Sequence, residues 1–395
     1  MISSVGARPV MCDHGYLTSS GFHFEGNGVT DFQVAIGGIP LPGRYHISLG
    51  ERHPSHVGAI AADFRTSGDV ITEVSIQPGY LHRAAEKLFE VRDYRSLIML
   101  ADRHDWMASF SGELVTTLAV ESAMRLTPPP RATRLRTLLA EYARLHSHLS
   151  YLSYVAEEEF VSSLWATVDD LRNGLLHWSG NRVHPMLCRV GGLSTDVPEG
   201  WLNSLGTLLG RVSTLAGQLR GSLENTSERF RGLAVVNPTI CHEYGLSGPV
   251  ARSCGLDLDL RRSGLLDYGS CFEPAPVRTA GDAHARLALL VDELDTSCAM
   301  VSRLAEGVPE GPVATKLSRR LKVPEGEHFS EVEAPWGTAG VLLVSRGGPT
   351  PWRLALRTPT FANVSALERL LVGARTDQVA DVVASMGYAI GDLDK

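Results

Sequence analysis

The sequence predicts an α+β fold, mostly α, with a central helix bundle flanked by N- and C-terminal β elements. Three observations predict it. Leucines recur at three- and four-residue steps through long central segments, short alternating runs precede them, and apolar or alternating runs follow them.

The early residues are rich in Gly, Ser and Pro and contain short alternating runs such as residues 31–36. Residues 58–64 and 69–76 read as two further strands, which carries the N-terminal β region to about Pro78. Then the period changes. Residues 81–100 and 110–125 read as helices. After the Pro128-Pro129-Pro130 breaker, Leu135, Leu138, Leu139, Tyr142, Leu145, Leu149 and Leu152 mark a long helix with one apolar face. Trp201, Leu202, Leu205, Leu208, Leu209, Val212, Leu215 and Leu219 repeat the pattern, as do Leu287, Leu290, Val291 and Leu294 within 282–304. Several such helices make a bundle. Past Glu325, residues 340–345 form an apolar run and 352–357 alternate, with Gly347-Gly348 as turn material. A last amphipathic helix carries Val379, Val382, Val383 and Met386. The chain therefore divides into an N-terminal segment (1–50), an N-terminal β region (51–78), a helical core (79–320) and a C-terminal β/α region (321–395).

Composition bounds the function. The 395 residues are 44% apolar and 21% charged, enough for a large core, and the net charge of -7 is spread along the chain. No basic patch points to nucleic acid. No stretch reaches the roughly 18 apolar residues of a membrane span, and the N-terminus lacks the pattern of a signal peptide. Cys12, Cys188, Cys241, Cys254, Cys271 and Cys298 are scattered without a Cys-x-x-Cys pair, which favours reduced, buried thiols. Glycine-rich phosphate loops, His-Glu-x-x-His and Gly-x-Ser-x-Gly are all missing, so the chain does not read as a self-contained enzyme.

Four segments could carry chemistry. His53-Pro54-Ser55-His56 is either a stiff turn presenting two imidazoles to a ligand or a solvated surface turn. Tyr80-Leu81-His82-Arg83 reads as a helix start, with Arg83 and Glu86 spaced for a charge pair. Asp102-Arg103-His104-Asp105-Trp106 packs four ionisable groups and an indole together, as a polar cavity wall or a charged helix–helix turn would. Asn181-Arg182-Val183-His184 precedes Gly191-Gly192, whose tight turn would fix the His and Arg. His146 and His148 are two apart on a helix and do not share a face, so they make a poor metal site.

Taken in order, these segments resemble the D subunit of respiratory complex I, a relative of the nickel-iron hydrogenase large subunit. The likeness is carried by GYLHRAAEKLFEVRDYR, LADRHDW, LAVES and LLAEYARLHSHL, then GNRVHPMLCRVGGLSTDVP, YGLSGPVARSCGLDLDLRR, GDAHAR and the C-terminal stretch ending in GDLDK. It covers about residue 50 to the end, and its wording is nearest the actinobacterial second-copy type. The resemblance implies the hydrogenase large-subunit type of bundle without its nickel-iron centre, because the two Cys-x-x-Cys pairs are absent and Cys254 in Arg-Ser-Cys-Gly has no second cysteine at the required distance.

It also implies a place in an NADH-quinone oxidoreductase. Arg83 and His184 match the Arg and His that lie beside an iron-sulfur cluster held by a partner subunit, where a cation and an imidazole raise the potential and couple electron uptake to protonation. This chain alone would bind no cofactor or metal; quinone is the substrate, with His53, His56 and Trp106 around its headgroup and His56 and Asp105 as proton donors. The implied partners are the cluster-bearing B-type subunit, C- and I-type subunits and the H-type membrane subunit, with the chain peripheral at the cytoplasmic face of the cell membrane and proton translocation attached. Departures are concentrated at the quinone end. The family turn is His-Pro-Ser-Thr-His-Gly, but Val57 stands where its second His falls, with His56 one residue early. Trp106 replaces a Tyr and offers an N–H without a labile phenolic proton. A family acidic residue falls near Tyr154, with Glu157, Glu158 and Glu159 close by, and Ala166-Thr167-Val168-Asp169 replaces a charged stretch. These changes leave two alternatives: a non-catalytic paralogue that keeps the docking surfaces, and a redox subunit for another acceptor.

Overall fold

The computed structural model describes residues 60–79 and 81–395, and ahead of them the backbone of a few short strands. His53, His56, Val57, Tyr80 and Cys12 lie outside the described residues. Strands β1 (Gly15–Thr18) and β2 (Gly21–Phe24) pair antiparallel. A four-stranded sheet follows, formed by β3 (Asp31–Ala35), β4 (His46–Ile47), β5 (Ala61–Ser67) and β6 (Val70–Gln77) in the order β4-β3-β5-β6. The β5–β6 hairpin turns through Gly68-Asp69, with Gly68 at φ +64°, a conformation glycine adopts without a Cβ penalty.

The segment expected as one helix over 81–100 is two. Helix α1 (Ala85–Glu90) begins only after Ala84, and α2 (Leu97–His104) starts anew. Asp93 breaks the run: its carboxylate accepts the N–H groups of Arg95 (2.9 Å) and Ser96 (3.2 Å) and the Ser96 hydroxyl (2.7 Å), an alternative to helical hydrogen bonding. Helix α3 (Ser109–Met124) follows, then α4 (Pro130–Val155), with its proline in the first turn, where no N–H is needed, and α5 (Glu158–Ser179). At 1.5 Å per residue the 26 residues of α4 span roughly 39 Å. The tiny hairpin β7 (Cys188–Arg189) and β8 (Gly192–Leu193) leads to α6 (Trp201–Asn225), α7 (Ser227–Phe230), α8 (Pro238–Tyr244), α9 (Gly248–Ser253) and α10 (Ala283–Glu306).

Helix α4 packs against α3, α5 and α10, and α6 against α5 and α10. Surrounded on all sides, α4 has no solvent face. The expectation of a single apolar face is corrected: Arg136, Glu141, Arg144, His146 and His148 are all buried with the leucines. They are tolerated because they are paired. Arg136 holds Glu121 in a two-pronged contact (2.9 and 2.7 Å), and Glu141, Arg144, Arg252, Arg261, Glu293 and Glu333 form one buried network across the bundle.

The C-terminal sheet contains β9 (Gly326–Ala334), β10 (Gly337–Ser345) and β11 (Arg353–Arg357), antiparallel in the order β11-β10-β9, with α3 against β9 and β10. Trp336 in the β9–β10 turn is buried and meets Tyr151 at a ring-centroid distance of 4.8 Å. Helices α11 (Pro359–Ser365), α12 (Leu367–Leu370), α13 (Val379–Ser385) and α14 (Ile390–Leu393) complete the chain. They clasp the N-terminal sheet. Glu368 accepts the Ile76 N–H (2.8 Å), and Asp394 accepts those of Gly79 (2.8 Å) and Leu81 (2.6 Å). The segment leading to Arg83 is thereby held by residues more than 300 positions away. Among the described residues no helix is long and apolar enough to cross a membrane.

Candidate functional site

The dense block Asp102–Trp106 occupies the end of α2 and the turn into α3, and its residues face two ways. On one side stands Asp105, buried, with Oδ1 accepting the N–H groups of Met107 and Ala108, both at 3.0 Å. These amides at the entry to α3 lack intrahelical partners, which is why an Asp is at home here. Its environment nevertheless favours the neutral acid. Burial and the nearby Asp392 carboxylate push its pKa up to about 7, against the opposing pull of His104. His104 Nδ1 lies 3.3 Å from Asp392 Oδ1, and both groups are buried. A small enclosed void of about 10 Å³ adjoins His104, Asp105 and Asp392.

Trp106 is half-buried and lies against Gly391 in α14. A Cβ at that glycine would come within 2.3 Å of both the indole Cζ3 and the His104 carbonyl oxygen. Glycine at 391 is therefore a condition for the placement of Trp106.

The other side gathers Arg83, Asp102, Arg103 and His184. Arg103 is exposed and bonds the buried Asp102 through Nη1 (3.2 Å to Oδ1). Arg83 Nη2 donates to the Arg103 carbonyl at 3.4 Å. His184 Nδ1 meets the Asp102 carboxylate and lies 3.1 Å from the Asp102 carbonyl oxygen. Two predicted residues, a hundred positions apart, thus converge on adjacent residues of α2. His184 is set by an Asx turn as well as by the hairpin beyond it: Asn181 Oδ1 accepts the N–H groups of Val183 (3.0 Å) and His184 (2.9 Å). Beneath, Glu113 of α3 is fully buried beside Asp102.

Some expectations require correction. Arg83 is exposed and makes no pair with Glu86, because 81–84 is not helical and the two never share a helix face. Glu86 instead binds Arg353 and accepts the Leu356 N–H at 2.8 Å. Glu157, Glu158 and Glu159 are exposed, whereas Tyr154 is half-buried, its pKa pushed up to about 12 by burial and Asp381. Glu113 and Asp392 had not been singled out as site residues. For Glu113 a signal existed, an acid in the otherwise uncharged run 110–120; Asp392 gave none, since GDLDK reads as a charged tail.

Cys188, Cys241, Cys254, Cys271 and Cys298 are free and buried, as their spacing suggested. The neighbour of Cys254 is Cys241, with sulfurs 3.3 Å apart. Two thiols are not the four thiolates a nickel-iron centre takes. No cluster of three or more His, Cys, Asp or Glu suited to a metal occurs among the described residues.

The family described as the respiratory-chain NADH dehydrogenase 49 kDa subunit matches residues 169–395. The chain belongs to that family. Among its relatives, the second-numbered D-type subunit of the NADH-quinone oxidoreductase of Salinispora tropica is 40% identical, with 92% of this chain and 96% of that protein aligned. The first-numbered D-type subunit of the Streptomyces coelicolor enzyme is 39% identical over 93% of this chain and 99% of its own length. The corresponding D-type protein of Methylacidiphilum infernorum is 29% identical, which agrees with the actinobacterial numbered-copy wording of the motifs. The alignment with the first of these extends further than residues 50–395 alone account for, so the family likeness reaches into the first fifty residues. Among solved structures, a chain of the membrane-bound sulfane sulfur reductase, an archaeal respiratory membrane complex, superposes with a TM-score of 0.81 at 29% identity, covering 85% of this chain and 94% of that one. The mostly helical α+β fold is thus a family property.

Proposed function

We propose that this family member works as the D-type component of a complex I-like NADH-quinone oxidoreductase and forms the quinone pocket with a cluster-bearing B-type partner. C- and I-type subunits and the H-type membrane subunit complete its surroundings, at the cytoplasmic face of the membrane, with proton translocation driven elsewhere in the complex. One observation carries the reading: Arg83 and His184 converge on Asp102 and Arg103, with Trp106 one short turn away. The two exposed guanidiniums and the imidazole make a surface suited to the added negative charge of a reduced cluster. Electrons pass from that cluster across this surface to a quinone whose headgroup is bound by Trp106, His53 and His56.

Reducing a quinone to the quinol takes two electrons and two protons. His56 and Asp105 supply the protons. Asp105 suits the role because its carboxyl, pushed up to about 7, is protonated in a good fraction of molecules at neutral pH. His104 and Asp392 stand beside it to replace the proton. Trp106 donates its indole N–H to a carbonyl oxygen but has no proton to give up, so proton delivery falls on the acids around it. The same substitution supports a second reading, an acceptor other than quinone in this pocket, and the likeness to a sulfane sulfur reductase chain favours it.

The test is inhibitor-sensitive quinone reduction by the assembled complex, comparing wild type with Arg83→Ala and Trp106→Ala. Activity that falls in both variants supports the pocket. A complex that assembles with its cluster-bearing partner and reduces no quinone removes the catalytic reading and leaves a structural paralogue.

A further inference from the structure

A run of exposed cations lies in a stretch that the proposed electron and proton path leaves unused. Between Glu310 and Glu325 the chain carries Lys316, Arg319, Arg320 and Lys322 and no acidic residue. All four are exposed, and among the described residues no carboxylate pairs with any of them. Arg95 joins them from the turn ahead of α2. It is exposed, donates Nη2 to the Ser318 carbonyl at 2.8 Å, and likewise has no acidic partner among the described residues. Surface arginines elsewhere are matched: Arg131 meets Asp196, Arg182 meets Asp169, and Arg211 meets Asp170. In a chain of net charge -7, a strip of unmatched cations is a local reversal of sign.

The backbone of this strip is held at three places. Its first residues add to the small β7–β8 hairpin: the Leu193 N–H donates to the Val313 carbonyl and the Thr315 N–H to the Gly191 carbonyl, both at 2.8 Å. The glycine pair permits that approach, since a Cβ on Gly192 would come within 2.0 Å of the Val313 carbonyl oxygen. Arg95 fixes the middle through Ser318, whose hydroxyl also donates to the Arg320 carbonyl at 2.8 Å. At the far end the Tyr94 hydroxyl bonds Ser345 (3.1 Å), whose own hydroxyl donates to the Val323 carbonyl (2.8 Å). Leu321 and Val323 are buried, and Lys322 between them is exposed. The main chain is set before any partner arrives, which lowers the ordering cost of docking.

We propose that Arg95, Lys316, Arg319, Arg320 and Lys322 form a docking surface for an acidic protein segment of a neighbouring subunit. Guanidiniums without a carboxylate of their own suit carboxylates from outside, which they bind through two parallel hydrogen bonds. Other anionic surfaces fit less well. A bilayer would take apolar side chains inserted beside the cations, and Leu321 and Val323 are turned inward instead. Residues 313–323 carry no aromatic ring on which a nucleic-acid base could stack. Arg95 stands just ahead of the 8 residues of α2, and Arg103 lies in its last turn. The strip thus begins roughly 12 Å from the surface of Arg83, Arg103 and His184, within the footprint of a single partner. The inference rests on the reading that the chain works inside a multi-subunit complex, and not on the quinone pocket.

The experiment treats the assembled complex with a carbodiimide, which joins lysine amines directly to carboxylates in contact with them, and identifies the linked peptides by mass spectrometry. Lys316 or Lys322 should be linked to an Asp or Glu of another subunit, with a yield that falls several-fold when salt is raised before coupling. Arg319→Glu combined with Arg320→Glu changes two exposed side chains and should leave the urea midpoint of the purified chain in place. The same double variant should lower the fraction of the chain retained in the complex by on the order of tenfold. The proposal is overturned if both lysines link only within this chain, or to nothing, while other lysines of the complex link across subunits. Normal retention of the double variant overturns it as well. Lysines shielded from acetylation in the native membrane but not in the detergent-solubilised complex would replace the acidic segment with a lipid surface. A chain recovered apart from any complex would remove the reading on which the inference rests, whereas an intact complex with both lysines unlinked removes the inference alone.

Discussion

Glu141 offers the sharpest test of how the bundle is held. It lies midway along α4 with no exposed surface and accepts hydrogen bonds from the Tyr268 hydroxyl (2.7 Å), the Ser297 hydroxyl (2.7 Å), Arg144 (3.1 Å) and Arg261 (3.4 Å). Burial alone would raise its pKa, but Arg144 and Arg261, helped by the two hydroxyls, outweigh burial and hold it at about 2. The folded pKa is depressed below the ordinary value of about 4.5, so the interaction stabilises the fold above that value and is lost as pH falls toward 2. A displacement of that size corresponds to about 3 kcal/mol. Glu141→Gln leaves two buried guanidiniums short of a counter-charge, a change that costs roughly 3–5 kcal/mol when one partner of a buried pair is removed. Equilibrium urea unfolding of the purified chain, followed by tryptophan fluorescence, compares wild type and variant at pH 7 and near pH 3. The variant should be about 3 kcal/mol less stable at pH 7, with the gap narrowing in acid. A gap under about 1 kcal/mol at pH 7, or one of equal size at both pH values, would refute the reasoning.

Asp105 has the opposite sign. Its folded pKa is raised, so its contribution to stability is greatest in acid and is lost as pH rises from about 4 toward 7. Asp105→Asn keeps an oxygen for the Met107 and Ala108 amides, and from pH 5 to pH 8 it should gain stability relative to wild type, by an amount on the order of 3 kcal/mol. Urea midpoints across that range check this. Gly391→Ala should displace Trp106 or the end of α2, cost about 1–3 kcal/mol as an overpacked site, and raise the quinone KM of the complex. An unchanged KM alongside normal stability would count against the placement of the headgroup at Trp106.

The legible part of the fold is the part written in local periodicity. The leucine stripes of α4, α6 and α10 fall where their helices lie, because burial of a helix face repeats every three or four residues. What periodicity hides is how deep a helix lies. The charged residues of α4 look like a solvent face until their partners are found in Arg261 and Glu333, which no local pattern connects to them. Local chemistry also overrode a pattern: Asp93 and Ser96 ended the run over 81–100, and the Arg83–Glu86 pair depended on a helix that had not yet begun. At the site, the density of Asp102–Trp106 was visible, and Arg83 and His184 came from the family likeness. That the block splits, with Asp102 and Arg103 toward His184 and Asp105 and Trp106 toward α14, needed the packing of residues 390–395 against α2.

The central claim is that the surface of Arg83, Arg103 and His184 lies beside the partner's cluster. The most direct measurement is a redox titration of that cluster at fixed pH in the assembled complex, comparing wild type with Arg83→Gln. A cation within several ångströms favours the reduced, more negative cluster, so its loss should lower the midpoint potential by tens of millivolts. An identical potential in a variant that assembles normally would contradict the account, because it would place Arg83 away from the electron path.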